Sequence, residues 1–391
     1  MPTSPRAAAP GSTASLRTAN QHRVLAVLRG GGVTYPADPT AAHTQAELAR
    51  LTGLAPATVS NIVRELAASG LVDTVPGSGR RGSAVRLAET AGIVAGIDFG
   101  HAHVAVAVGD LTGRVLAEER LPLAEPLRHE EALGRAAAIL DRLLEGRGPL
   151  RHAGLGLPAP VVNNVVRSSA IFPGWDDVDS SASASAVLGV PVAVENDANL
   201  GALAEHRQGD GRGHDSLVYV KIASGVGAGI IINNALFHGA DGTAGEIGHL
   251  TINEQGPMCR CGSRGCLETY TSAEHLGRLV STTLPEPSLE DVVDAATRGN
   301  VSAQRALEDA GLHLGWALAS VVNLLNPSLI IVGGRMASAG DLLLEPARTG
   351  LRRHALDSVA QTPIIESQLG QRASMIGAVL LAAERTELVT G

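Results

Sequence analysis

The most informative stretch of this sequence is Gly245-Glu246-Ile247-Gly248-His249, followed by Cys259-Arg260-Cys261-Gly262-Ser263-Arg264-Gly265-Cys266-Leu267-Glu268. It holds all three cysteines of the 391-residue chain. An odd number of cysteines this close together is a poor framework for disulfides, whereas three thiolates and one imidazole complete the tetrahedral shell of a structural zinc ion. The alternative is three free thiols beside an unrelated histidine. The spacing predicts a Zn²⁺ site formed by His249, Cys259, Cys261 and Cys266.

On both sides of this stretch, apolar and β-branched runs alternate with helical patterns. Strands are expected near 93–98, 103–109 and 152–157, with a helix over 130–145, and a similar order returns at 217–223, 228–232 and 329–332. Such alternation is typical of α/β architecture. We expect one domain over 91–391 in two lobes with a cleft between them. The first lobe would comprise about 91–197 plus a C-terminal helix at 373–389, and the second about 198–372.

The N-terminal part has a different texture. Residues 1–15 are expected to be a disordered lead, and residues 16–90 a winged helix-turn-helix domain. Thr44 and Glu47 have the spacing of a capping box, Gly53 ends that helix, and Pro56 opens the next one. A hairpin then follows, with a Pro76-Gly77-Ser78-Gly79 turn.

The second of these helices and the hairpin tip are candidate DNA contacts. Apolar positions on the helix are buried in the prediction, so that its outward face carries the polar side chains Thr58, Ser60, Asn61 and Arg64, while Arg80 and Arg81 lie at the hairpin tip. Residues 1–90 contain nine arginines and five acidic residues, a net +4, which leaves −12 for the remainder of a chain whose net charge is −8. A basic N-terminal part, here called the head (residues 1–90), on an otherwise acidic chain fits a DNA-binding module. The alternative is a helical hairpin used for protein contacts.

The Gly245–Glu268 stretch resembles the signature of the ROK family (repressors, open reading frames and sugar kinases). Further matches are Pro173-Gly174-Trp175, Glu195-Asn196-Asp197-Ala198-Asn199, Ser224-Gly225-Val226-Gly227-Ala228-Gly229 and Gly333-Gly334. The resemblance covers about residues 92–390, and the winged helix-turn-helix is similar to that of the family's repressor branch. It implies the actin-like bilobal ATPase fold, also described as ribonuclease-H-like or hexokinase-like.

The resemblance also implies where ligands bind. The sugar site would comprise Gly174, Asn196, Asp197, Glu246, His249 and Glu268, with one ring nitrogen of His249 on zinc and the other towards the sugar. The nucleotide-like loops would comprise Asp98, Gly100, Ser224, Gly225, Gly227, Gly333 and Gly334. In the family's kinases Asp197 would be the catalytic base. Those kinases have Asp-x-Gly-Gly-Thr-Lys where this chain has Asp98-Phe99-Gly100-His101-Ala102-His103, so ATP and Mg²⁺ are not expected here.

We therefore expect a DNA-binding transcriptional regulator, a repressor of carbohydrate metabolism, and not an enzyme. A sugar or sugar phosphate in the cleft would modulate its binding to palindromic operator DNA, as a homodimer or a dimer of dimers. One alternative is an active ATP-dependent, glucokinase-like sugar kinase with an appended DNA-binding domain. Another is a regulator controlled by a protein that docks on the kinase-like domain. Neither a signal peptide nor a membrane-spanning run is recognisable, so a cytoplasmic, nucleoid-associated bacterial protein without membrane contact is expected.

Overall fold

The computed structural model describes residues 13–30, 42–75, 83–166, 172 and 174–389. Its N-terminal domain consists of three helices and a small sheet with the strand order β1-β3-β2. The elements are α1 (Thr13–Leu28), β1 (His43–Thr44), α2 (Gln45–Thr52), α3 (Pro56–Ala68), β2 (Val72–Val75) and β3 (Ala84–Leu87). Helix α1 already includes residues 13–15, which the sequence analysis assigned to a disordered lead; residues 1–12 lie outside the described part.

The local signals in this domain act as predicted. The Thr44 hydroxyl accepts from the Glu47 amide at 3.2 Å, and the Glu47 carboxylate accepts from the Thr44 amide at 2.8 Å. Gly53 ends α2 in the left-handed conformation, at φ 70°, and Pro56 is the first residue of α3. These two helices and the strand pair β2–β3 form a winged helix-turn-helix.

The first lobe of the larger domain is a five-stranded mixed sheet with the order β10-β7-β4-β5-β6. Its elements are β4 (Ile93–Gly100), β5 (His103–Asp110), β6 (Val115–Pro122), α4 (His129–Leu144), β7 (Leu150–Leu157), β8 (Val161–Val162), β9 (Val165–Val166), α5 (Ser180–Leu188) and β10 (Val192–Asn196). Strands β4, β5 and β6 are antiparallel, and β7 and β10 run parallel to β4.

The second lobe repeats this topology. Its sheet has the order β13-β12-β11-β14-β15, in which β11, β12 and β13 are antiparallel and β14 and β15 run parallel to β11. The elements are α6 (Asp197–Gln208), β11 (Leu217–Ile222), β12 (Val226–Ile232), β13 (Ala235–Leu236), α7 (Glu268–Thr271), α8 (Ala273–Val280), α9 (Leu289–Thr297), α10 (Val301–Leu325), β14 (Leu329–Gly333), α11 (Asp341–His354) and β15 (Ile364–Glu366). The predicted recurrence of one pattern is therefore a duplicated sheet.

The last helix, α12 (Ala373–Arg385), returns to the first lobe and packs on β4, β5 and β7 as well as on α6. Its approach to the sheet is so close that a Cβ on Gly96 would collide with Val379 and one on Gly154 with Ala378. Glycine at these two strand positions is thus a packing requirement. Among the described residues, no helix has both the length and the apolar character needed to cross a bilayer.

Candidate DNA-binding face, ligand cleft and metal centre

Helix α3 presents a polar face to solvent. Val59, Ile62, Val63 and Leu66 are buried, whereas Asn61 and Arg64 are exposed and Thr58 and Ser60 are half-buried. The four predicted DNA contacts thus lie away from the buried face of the helix. Arg80 and Arg81, predicted for the tip of the wing, lie outside the described residues.

The structure brings together the four predicted metal ligands. The ligand atoms of His249, Cys259, Cys261 and Cys266 all lie within 4.8 Å of one another. His249 Nδ1 is 3.6 Å from Cys259 Sγ, and Cys261 Sγ is 3.7 Å from Cys266 Sγ. At tetrahedral angles around zinc, sulfur and nitrogen ligands lie about 3.5–3.8 Å apart. The donor set and its spacing therefore fit a metal such as zinc.

A cleft lies where the two lobes meet, with a volume of about 510 Å³ that includes the open solvent at its mouth. It is lined by loops from both lobes, including five of the six residues that the resemblance implies for a sugar: Asn196, Asp197, Glu246, His249 and Glu268. The sixth, Gly174, does not line it. The Gly174 carbonyl instead accepts from the ring of His129 at 3.0 Å, and the glycine packs on Arg128.

Asn196 and Asp197 occupy the start of α6 and have different roles. Asn196 is the N-cap: its Oδ1 accepts from the amides of Ala198 and Asn199 at 2.8 and 3.2 Å, and its Nδ2 donates to the Ala159 carbonyl at 3.2 Å. The helix start thus engages most of this amide. The Asp197 carboxylate is buried, which raises its pKa, and the nearby Lys221 ammonium opposes that rise.

Glu268 and Glu246 also differ in how far other groups of the protein engage them. Arg260 donates to Glu268 Oε1 at 2.7 Å, and the Val226 amide donates to Glu268 Oε2 at 3.1 Å. A Cβ on Gly225 would lie 2.7 Å from that second oxygen, so a side chain at this position would displace the carboxylate from its bonds. Within the described part of the chain, no group donates a hydrogen bond to Glu246 in this way. Burial, with Asp197 and Glu268 nearby, raises the pKa of Glu246 to about 7. Glu246 is therefore the carboxyl group better placed to contact a ligand.

His249 faces both sites. While Nδ1 points to Cys259, Nε2 lies 3.9 Å from the Glu246 carboxylate on the cleft side. The metal loop and the cleft therefore share one imidazole, and the arrangement orients that ring from both ends.

The predicted nucleotide-like loops line the cleft and a second cavity that adjoins it. Ser224, Gly225 and Gly227 line the first cavity; Asp98, Gly100, Ser224 and Gly334 line the second. Gly333 ends β14 and pairs with Lys221 of β11. Residues His101, Asp197 and Lys221 belong to both cavities, so the two spaces meet at these side chains.

The first phosphate-type loop, residues 98–103, carries two histidines whose rings contact neighbouring side chains. His103 Nε2 lies 2.8 Å from Asp98 Oδ2, and His101 Nδ1 lies 3.1 Å from the hydroxyl of Ser224, on the opposite lobe. The His101 ring also meets the edge of Phe172. The His101 ring therefore lies between the two phosphate-type loops.

Three residues of the site were not singled out from the sequence: Lys221, Arg260 and His103. Lys221 had a visible signal, because it is the only lysine of the chain and interrupts an otherwise apolar strand one residue before its end. Arg260 lies inside the cysteine motif, where the sequence indicates only a residue of a loop. Its bonds to Glu268 and to the Ser224 carbonyl, both at 2.7 Å, depend on the folded loop.

Comparison with known proteins identifies both parts of the chain. A sequence profile of the ROK family matches residues 94–385, and one of the MarR family matches residues 17–81. The xylose repressor of Bacillus subtilis (strain 168) is 29% identical over 350 residues, covering 85% of this chain and 89% of the repressor.

Solved structures agree. The structure of a ROK family transcriptional regulator, a homologue of the E. coli MLC protein, matches this chain with a TM-score of 0.78 and 25% sequence identity. The match covers 94% of this chain and 96% of the regulator. A ROK family glucokinase from Streptomyces griseus, in complex with glucose and AMPPNP, has a TM-score of 0.68 at 30% identity, covering 75% of this chain and 100% of the kinase. The chain belongs to the ROK family, with its actin-like, hexokinase-like fold, and carries an N-terminal winged helix of the MarR type.

Proposed function

We propose that this protein is a transcriptional repressor of carbohydrate metabolism whose operator binding is modulated by a sugar in the cleft. The relatives include both a xylose repressor and a glucokinase, so the family alone does not choose between regulation and catalysis. The observation that carries the proposal is the position of α12, because this helix contacts both the cleft and the DNA-binding domain.

At its N-terminal end, α12 borders the cleft. The Ser374 hydroxyl donates to the Asp197 carbonyl at 2.8 Å, and Lys221 Nζ donates to Ser374 Oγ at 2.9 Å. At the other end, Val379, Ala382 and Ala383 belong to the same apolar cluster as the core of the winged helix. The Arg29 guanidinium of the head also donates to the Thr386 carbonyl at 2.7 Å, just beyond α12. Thirteen residues of helix span about 20 Å.

Closure of the lobes around a sugar therefore has a rigid element through which to act. Hydroxyl groups of the ligand would bond to Asp197, Glu246 and His249, the groups that keep free capacity at the cleft. A ligand that binds the closed form better shifts the population towards it. Because α12 lies on the first lobe and on α6, a change in the angle between the lobes would reorient the head and its α3 helix. By linkage, operator DNA changes sugar affinity by the same factor.

Zinc completes the proposal as a structural ion. His249, Cys259, Cys261 and Cys266 would hold Zn²⁺ with no open position, as structural sites do. The ion would fix the loop that carries Arg260, and through it the carboxylate of Glu268, so that metal binding supports the ligand cleft.

The repressor does not phosphorylate its sugar in this proposal. In the loop after β4, His101 and Ala102 take positions that the family's kinases give to glycine and threonine, and the His101 ring reaches Ser224 across the interlobe space. These residues do not fit the phosphates of a metal nucleotide, because a ring occupies the space between the loops. No catalytic step is assigned here.

DNA recognition in this proposal uses Asn61 and Arg64 on base edges and Thr58, Ser60, Arg80 and Arg81 on the backbone or the minor groove. Two copies of the head would read the halves of a palindrome, so a homodimer or a dimer of dimers is the proposed assembly. The proposed location is the bacterial cytoplasm, on the nucleoid.

The experiment is a fluorescence-anisotropy titration of the full-length protein on its operator, isolated by selection from random duplexes. D-xylose, D-glucose, N-acetylated hexosamines and their phosphates are added in turn. At least one should change operator affinity by about tenfold or more, a coupling free energy of about 1.4 kcal/mol. If none does and calorimetry detects no sugar binding, the ligand proposal is wrong, and control by a docked protein becomes the better reading.

The kinase alternative rests on one observation, that Asp197 is retained at the cleft. A coupled assay for ADP release over the same sugars, with the variant Asp197→Asn as the control, tests it directly. Turnover by the wild type that disappears in the variant would make the protein an enzyme and overturn the proposed absence of catalysis.

A further inference from the structure

Lys221 is the only lysine among 31 basic residues, and it lies at the point where the two lobes meet. It is the second-last residue of strand β11 and lies on the sheet face that carries the buried side chains of Leu217 and Tyr219 and faces α6 and α12. Its side chain is only 15% exposed. A buried ammonium group requires partners, because its desolvation is otherwise costly.

Those partners come from both lobes. Lys221 Nζ lies 2.7 Å from Asp197 Oδ2, 2.9 Å from Ser374 Oγ and 3.8 Å from Asp98 Oδ1. The other oxygen of Asp98 faces His103, while Oδ1 is buried and has no hydrogen-bond partner among the described residues. The lysine head therefore lies between two buried carboxylates, one from the strand β4 and one from the helix α6.

The group is charged there. Burial by itself would lower the pKa of Lys221, but the carboxylates of Asp197 and Asp98 outweigh it, and the net shift is upward. Burial would raise the pKa of Asp98, but Lys221 and His103 outweigh it, and that pKa is lowered. One ammonium thus compensates much of the charge of an acidic pair that would otherwise repel.

Two buried carboxylates facing one point are the kind of oxygen donors that a divalent cation takes. In this cleft the ammonium group of Lys221 fills that point. We propose that Lys221 is the resident cation of the cleft: it occupies the place between Asp98 and Asp197 that a divalent metal ion would otherwise take, so that the cleft binds a sugar without a metal nucleotide. This inference rests on the proposed sugar-binding function and adds the reason why the acidic pair survives in a non-catalytic cleft.

The choice of residue supports this role. The chain uses arginine at its other 30 basic positions. A guanidinium is a wide planar fork, whereas an ammonium is a compact point charge with three donors. Only the compact group suits a position with three oxygen partners in different directions and little space.

The test measures Mn²⁺ binding by electron paramagnetic resonance on the zinc-loaded, full-length protein. Wild type should bind no Mn²⁺ at the cleft, and Lys221→Met should gain a site at least about tenfold tighter than any weak binding of the wild type, because removal of the ammonium leaves the two carboxylates uncompensated. The double variant Lys221→Met/Asp98→Asn should lose the gained site. Arg335→Gln, which removes a cation from the adjoining cavity, is the matched control and should gain nothing.

Two results would overturn the inference. One is a folded Lys221→Met protein, with a melting temperature close to that of wild type, that binds no Mn²⁺. The other needs no Lys221 variant: it is wild-type protein that binds Mn²⁺ and loses it in Asp98→Asn. Sugar affinity measured with and without Mg²⁺ should be equal in wild type. Failure of the proposed function would show separately, as operator binding that no sugar changes.

Discussion

The Ser374 hydroxyl donates a hydrogen bond of 2.8 Å to the main-chain carbonyl of Asp197, so the first turn of the last helix is joined to the first turn of the helix that begins at the cleft. The two residues are 177 positions apart in the chain. The bond connects the candidate ligand site to the element that packs against the DNA-binding head.

Ser374→Ala should therefore weaken the coupling between sugar and operator more than it weakens the fold. The variant also loses the acceptor of Lys221 Nζ, and removal of one partner from buried hydrogen bonds costs about 1–3 kcal/mol of unfolding free energy. We expect operator affinity without sugar to stay near that of wild type and the sugar effect to shrink several-fold, as measured by anisotropy. Ser338→Ala, which removes an exposed local bond in the second lobe, is the control. An unchanged sugar effect in Ser374→Ala would remove this bond from the coupling.

Cys266→Ser should abolish zinc binding and destabilise the second lobe. Cys266 is fully buried and contributes one of four ligands. Since metal binding to a site that does not exist in the unfolded chain adds to folding free energy, the loss should be on the order of several kcal/mol. Elemental analysis and thermal unfolding measure the two effects. Ser263→Ala, in the same loop but outside the ligand set, should keep the metal. A Cys266→Ser protein with a full equivalent of zinc would refute the site.

Asn61→Ala and Arg64→Ala should each weaken operator binding without affecting stability, because both side chains are exposed on α3. Loss of a base contact costs about 1–3 kcal/mol and relaxes specificity at one position, whereas loss of a phosphate contact weakens all sequences alike and reduces the salt dependence. Competition assays with altered operators at several salt concentrations separate these outcomes. Arg298→Ala, on an exposed helix end of the second lobe, should leave affinity unchanged. Wild-type affinity in both α3 variants would exclude this face.

The pair of His238 and Glu195 should make stability depend on pH. His238 Nε2 lies 2.8 Å from the Glu195 carboxylate, and this hydrogen bond raises the pKa of His238. Because the pKa of His238 is higher in the folded than in the unfolded protein, its protonation stabilises the fold. This stabilisation is fully present at pH values below the pKa of the unfolded state, near 6.5, and is lost as the pH rises through the pKa of the folded state. His238→Gln should therefore lower the free energy of unfolding at pH 6 and lower it much less at pH 8.5. The loss at pH 6 should be under about 1 kcal/mol, because the imidazole is half exposed. Urea unfolding at the two pH values measures it. An equal loss at both would mean that no charge is involved.

The sequence by itself determined the features whose parts are close in the chain. The capping box joins Thr44 to Glu47, three positions away, and the metal ligands fall within the short span from His249 to Cys266. A turn or a loop of this length brings its residues together whatever surrounds them. The repeated order of strands and helices was likewise readable, because the period of apolar residues is a local property.

The roles within the cleft were decided by tertiary structure. Asn196, a predicted sugar ligand, also caps α6, Glu268 is held by Arg260, and Gly174 lies against His129. Each outcome depends on which hydrogen-bonding groups the fold places nearby, since a buried polar group takes the partners that it meets.

Lys221 marks the limit most clearly. The sequence shows a single lysine near the end of an apolar strand, and no neighbouring residue indicates which groups it faces. Its partners Asp98, Asp197 and Ser374 come from a strand and two helices that only the duplicated sheets and the returning helix α12 bring to one point. A charge can be buried where its counter-charges converge, and that convergence is a property of the topology rather than of any segment.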